Sequence, residues 1–100
     1  MTATENAAAE LRATVRGIAA GLKPALAARF ISGRFGFRTT NRGSVVVTVD
    51  CGATQGNLRQ DTATAMHILR EACVAAGLEA EYGSATEVTI RARAAAQQAA

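Results

Sequence analysis

Between Arg34 and Cys51 the residues alternate with period two on both sides of Asn41-Arg42-Gly43, a pattern that a helix cannot use and a β-hairpin requires. Phe35, Phe37 and Thr39 share one side of the first strand, with Arg34, Gly36 and Arg38 on the other. A three-residue loop needs positive φ at its last position, and Gly43 stands there. With Thr40 opposite Ser44, Thr39 faces Val45, Phe37 faces Val47 and Phe35 faces Val49. The other side then sets Arg38 against Val46 and Arg34 against Asp50, a natural cross-strand ion pair. Slipping the register by one residue would oppose apolar to polar side chains throughout.

The segments flanking this hairpin are helical. Leu11, Val15, Ile18 and Leu22 recur at steps of four, three and four, on one stripe of a first helix that Thr2 or Thr4 can cap. Pro24 kinks that helix or starts a second one from Pro24 to Ser32, for which Gly33 is a candidate left-handed cap. After the hairpin, Asn57 with Gln60 in the capping-box position, or Asp61, opens another helix. Its expected apolar face holds Leu58, Ala65, Met66, Leu69, Ala72, Cys73 and Ala76, and Gly77 stops it. Leu78, Ala80 and Tyr82, then Val88, Ile90 and Ala92, alternate around a turn at Gly83-Ser84-Ala85. That spacing predicts a second hairpin with Ala80 opposite Val88 and Leu78 opposite Ile90.

The expected order is α-β-β-α-β-β. The fold class that satisfies it is an α+β two-layer sandwich: a four-stranded antiparallel sheet with the helices on one face, a permuted ferredoxin-like arrangement. Ser44 to Cys51 and Thr86 to Arg93 would be the central strands, with Arg34 to Thr40 and Leu78 to Tyr82 at the edges. Residues 1–93 form one domain on this reading, and the low-complexity residues 94–100 a flexible tail. One hundred residues is the usual size of a single core.

Composition narrows function by exclusion. Two cysteines and one histidine fall short of the four Cys/His ligands of a structural zinc site, so no metal or cofactor is expected. No signal peptide and no membrane span is recognisable, which makes the cytoplasm the expected location and free thiols the expected state of Cys51 and Cys73. A net charge of +3 and a pI near 9.5 suit contact with acidic partners without the dense basic clusters of a general nucleic-acid binder.

Each candidate for chemistry has a plainer structural reading. His67 lies opposite the apolar helix face, one turn from Glu71 with which it can pair, and reads as a surface histidine. Cys73 sits on that apolar face and Cys51 on the inward side of a strand, where thiols are ordinary core residues. The glycine-containing loop from Asp50 to Asn57 occupies the place of a phosphate-binding loop but has neither its lysine nor G-x-G-x-x-G. Gly33-Arg34-Phe35-Gly36-Phe37-Arg38 has the composition of the RNP1 signature of RNA-recognition motifs, yet with the Arg-Gly order inverted. The register also turns Phe35 and Phe37 toward the helices, so core packing is their expected role.

What is left is arginine. Arg34 and Arg38 emerge on the outer sheet face, Arg42 sits at the hairpin tip, and Arg91 and Arg93 join them alongside Thr48 and Thr89, with Gly36 leaving a flat patch. The bland role of such a face is solubility. The sharper one is docking, since arginine makes planar, bidentate contacts to carboxylates and phosphates. The expected function is a non-catalytic binding module: an accessory or inhibitory factor on a larger protein or nucleoprotein complex. The alternatives are direct nucleic-acid binding through phosphates and a small enzyme using Cys51 or His67. Homodimerisation by edge-strand pairing is compatible with the pattern, and the Arg12/Arg16 side of the first helix is the second surface to consider.

Overall fold

Gly43 adopts φ +81°, and the loop it ends is closed by the Gly43 amide donating to the Thr40 carbonyl at 3.1 Å. The Thr40 hydroxyl accepts from the Ser44 amide at 3.1 Å, which ties the turn a second time. The hairpin register follows: Arg34 opposes Asp50, Phe35 Val49, Gly36 Thr48, Phe37 Val47, Arg38 Val46 and Thr39 Val45. All six pairs are those that alternation and loop length require.

The computed structural model describes residues 3–29, 31–51 and 57–92, with side chains from residue 6 onward. Its elements are α1 (Ala3–Gly21), α2 (Lys23–Ala28), β1 (Arg34–Thr39), β2 (Val45–Asp50), α3 (Leu58–Ala75), β3 (Glu79–Ser84) and β4 (Glu87–Arg91). The four strands form one antiparallel sheet in the order β1-β2-β4-β3. Moving the first strand of a ferredoxin-like β-α-β-β-α-β chain to its end produces this order. α1 packs over β1 and β2, and α3 over β3, β4 and β2.

The core lies between the layers. Val45, Val47, Val49, Val88 and Ile90 from the sheet meet Leu11, Val15 and Ala19 from α1 and Ala65, Met66, Leu69 and Cys73 from α3. Alternation puts every one of these strand residues on the helix side. Alanine matters more than side-chain size suggests. Ala8 and Ala19 are buried on α1, whereas the larger Ile18 and Leu22 are only partly covered.

α3 begins where expected: the Asn57 carboxamide oxygen accepts from the Gln60 amide at 3.1 Å. Its buried face includes Thr62, while Leu58 and Ala76, expected inside, are exposed. They stand at the two ends of the helix, Leu58 as its first residue and Ala76 as its C-cap. Gly77, at φ +89°, stops the helix, with the Leu78 amide returning to the Cys73 carbonyl at 3.0 Å.

Three expectations need correction. α2 ends at Ala28 and not at Ser32: the Arg29 and Ile31 amides both close on the Leu26 carbonyl, at 2.9 Å each. That turn brings Ile31 into the core, so Gly33 caps nothing and its φ is not positive. The second hairpin pairs Ala80 with Ile90 and Tyr82 with Val88, a shift of two residues from the expected register. The turn is tighter, at Ala85-Thr86, and Gly83 is accommodated by an irregularity between Tyr82 and Ser84. A shift of two keeps each side chain on its face, so the inward and outward sets survive. Finally, His67 does not pair with Glu71, which is held by Arg70 at 2.7 Å.

Candidate binding surface

With both long helices on one side, no described element covers the opposite sheet face. Along β1 it presents Arg34, Gly36 and Arg38; along β2, Val46, Thr48 and Asp50; along β4, Glu87, Thr89 and Arg91; along β3, Glu79, Glu81 and Gly83. Arg34, Arg38, Arg42, Thr48 and Arg91 are all exposed. Val46, though on this face, is buried at 7% exposure. Arg93 lies outside the described residues.

Charge divides this face. Arg91 is clamped by carboxylates on the neighbouring strand, its Nη2 donating to Glu81 Oε1 at 2.8 Å with Glu79 at 3.9 Å. At the other edge, Arg34, Arg38 and Arg42 make no ion pair with another described residue. Arg34 stands opposite Asp50 in the register, but the expected ion pair between them does not form. The arginines are therefore not one continuous patch. The β1 half carries three exposed arginines beside Asp50, whereas the β3 half is acidic and internally paired.

The basic half continues around the edge onto the helix side. Arg12 and Arg16 lie one turn apart on α1, and Lys23 follows on α2 after the break at Leu22. Between α1 and β1 runs an open groove of about 440 Å³, lined by Arg16, Lys23, Arg34, Phe35 and Phe37, with Gly33 and the alanines of α1 along its wall. The Arg16 guanidinium carbon lies over the Phe37 ring, 5.8 Å from its centroid, a cation–π arrangement. A second, shallower depression joins Arg12 and Arg16. Phe35 and Phe37 do face the helices, as expected, but β1 is an edge strand and α1 leaves them only half-buried. Lys23, a single cation beside Pro24, carries no pattern in the sequence that marks it for this groove. The signal available was the spacing of Arg12 and Arg16 at i, i+4.

Among the described residues the edge itself is open. Thr40 bonds to Ser44 through its amide, at 2.9 Å, and Val49 on β2 turns its amide away to Thr86, at 2.8 Å. In an antiparallel ladder the inward and outward groups alternate, so Arg34, Gly36 and Arg38 bond to β2. The amides and carbonyls of Phe35, Phe37 and Thr39 consequently point away from the sheet, and among the described residues they have no partner.

Reactive groups are placed elsewhere. Cys51 and Cys73 are both free and buried, in the shared core. Desolvation pushes the Cys73 thiol up to about 11 from an ordinary 9.0. A thiol so placed stays protonated and unreactive at neutral pH. His67 is exposed, with Nδ1 3.5 Å from the Tyr82 hydroxyl. Arg70 lies over the same Tyr82 ring, 5.6 Å from its centroid. Among the described residues no three His, Cys, Asp or Glu side chains converge to hold a metal ion. Nor is any helix among them long and apolar enough to cross a membrane. The glycines of the loop after β2 and residues 94–100 lie outside the described residues.

Comparison with protein-family models, with curated proteins and with solved structures finds no match to this chain.

Proposed function

We propose that this chain is a non-catalytic binding module, an accessory or inhibitory factor that docks on an acidic surface of a larger protein or nucleoprotein complex. The observation that carries the reading is the run of cations around β1: Arg12, Arg16, Lys23, Arg34, Arg38 and Arg42 make no ion pair with another described residue. Arg91 and Arg70, by contrast, are already neutralised by glutamates. Cations gathered on one side raise encounter rates with acidic partners and confer orientation. Arg34, Arg38 and Arg42 are thus the docking residues, with Thr48 beside them, while Arg91 and its glutamates form an acidic, internally paired flank.

A cytoplasmic setting goes with this reading, supported by two cysteines that remain thiols. Self-association through the β1 edge runs against the charges, since symmetric pairing would bring the copy's arginines alongside Arg34 and Arg38 on the same sheet face. A second reading, phosphate contacts to nucleic acid, draws on the same cations and on the half-buried phenylalanines beside them.

The test is capture from native lysate by the wild-type chain and by an Arg34→Glu/Arg38→Glu variant, each with and without nuclease. The proposal expects protein capture that survives nuclease and is lost in the variant while its melting temperature is unchanged. Capture unaffected by charge reversal would remove the β1 side from consideration. Capture lost on nuclease treatment, with binding that falls linearly in log salt, would transfer the site to nucleic acid.

A further inference from the structure

We propose that the open edge of β1 receives an extended acidic segment of the partner as a fifth strand, which rests on the docking module reading above. Three features of the same edge converge on a polypeptide strand.

The first is hydrogen bonding. Phe35, Phe37 and Thr39 each present both an amide and a carbonyl outward, without a partner among the described residues. A nucleic-acid backbone offers acceptors for the amides but no regular donors for the carbonyls. Another extended polypeptide satisfies both, in register.

The second is the chemistry on either side of the edge. A strand added to β1 would alternate its side chains between the two sheet faces. On the outer face they would stand beside Arg34 and Arg38, where carboxylates can accept bidentate guanidinium contacts. On the helix side they would enter the groove of about 440 Å³ floored by Phe35 and Phe37 and rimmed by Arg16 and Lys23. That side favours apolar side chains against the phenylalanines, with carboxylates able to meet its cationic rim. An incoming segment alternating acidic and apolar residues meets both.

The third is selectivity. Exposed strand edges attract unwanted pairing, and charge is a usual defence. Arginines on β1 repel a second β1, yet they do not repel an acidic strand. The same residues thus exclude the chain's own copy and select the partner.

The probe is a fluorescein-labelled octapeptide alternating glutamate and valine, titrated into the full chain and followed by anisotropy. Three controls accompany it: the same peptide N-methylated along one edge, a lysine/valine counterpart, and a thymidylate decamer. Strand addition requires that the glutamate/valine peptide bind, that N-methylation weaken it by at least about tenfold, and that the lysine peptide not bind. Arg34→Glu/Arg38→Glu should lose binding to a similar degree, and Arg91→Glu should retain it. Equal affinity of the N-methylated peptide would overturn the proposal, because charge alone would then suffice. So would tighter binding of the thymidylate decamer, or no binding of the glutamate/valine peptide at low salt. If the peptide fails while lysate capture still depends on Arg34 and Arg38, the docking module stands and only strand addition falls. If charge reversal changes neither, both fall together.

Discussion

Truncating Phe37 separates a groove-lining ring from a core ring. A fully enclosed phenylalanine costs about 3–5 kcal/mol on replacement by alanine, because transfer and cavity terms add. Phe37 sits on an edge strand, packs against the core from one side and lines an open groove on the other. Half-burial forfeits roughly half of the 1.5–3 kcal/mol of a buried side chain, or about 1 kcal/mol. Loss of the Arg16 guanidinium over the ring adds about 0.5–1 kcal/mol. Phe37→Ala should therefore destabilise by about 1.5–2 kcal/mol, with little cavity term because the groove already admits water. Urea unfolding followed by circular dichroism measures this, with an unchanged slope confirming the same two-state transition. A double-mutant cycle with Arg16→Ala should recover the cation–π part as coupling. A loss above about 4 kcal/mol would mean the ring is enclosed and the groove is closed, and zero coupling would remove the Arg16 contact.

Leu69 is fully buried at the centre of α3, so Leu69→Ala should cost about 2–5 kcal/mol in the same assay. Glycines should respond with opposite signs. Gly17→Ala, within α1 and with open space around it, should stabilise by about 0.5–1 kcal/mol, whereas Gly77→Ala at φ +89° should destabilise by about 1–2 kcal/mol. The raised folded-state pKa of Cys73 means that the unfolded chain loses the thiol proton first as pH rises. Its contribution is thus fully present below about pH 9 and lost on the way to about 11, a decline in thermal stability that Cys73→Ala should flatten. Thiol-reactive dye should label native protein slowly at neutral pH and unfolded protein fast.

Those parts of the fold that depend on local rules were legible in the residues. Alternation and Gly43 fixed the first hairpin to the residue, because a one-residue slip would invert both faces of β1 and β2. The second hairpin was legible only modulo two. Alternation survives a shift of two, and Ser84 and Ala85 carry no strong preference between a tight turn and a longer loop. The end of α2 escaped because Ile31 is drawn into the core by tertiary packing that no cap residue announces. The docking surface was half legible. Periodicity turned Arg34 and Arg38 outward, but only pairing in space distinguishes them from Arg91, whose glutamates lie on the strand beside it. That α1 leaves Phe35 and Phe37 half-covered is a matter of helix placement, on which their alternation is silent.

Amide hydrogen exchange along β1, resolved residue by residue by NMR, tests the open basic edge most directly. In the free chain the amides of Gly36 and Arg38, bonded to β2, should exchange slowly, and those of Phe35, Phe37 and Thr39 fast. Addition of the glutamate/valine octapeptide should slow the latter three and leave β3 unchanged. Slow exchange at Phe35, Phe37 and Thr39 in the free chain, or protection that appears on β3 in their place, would contradict the account.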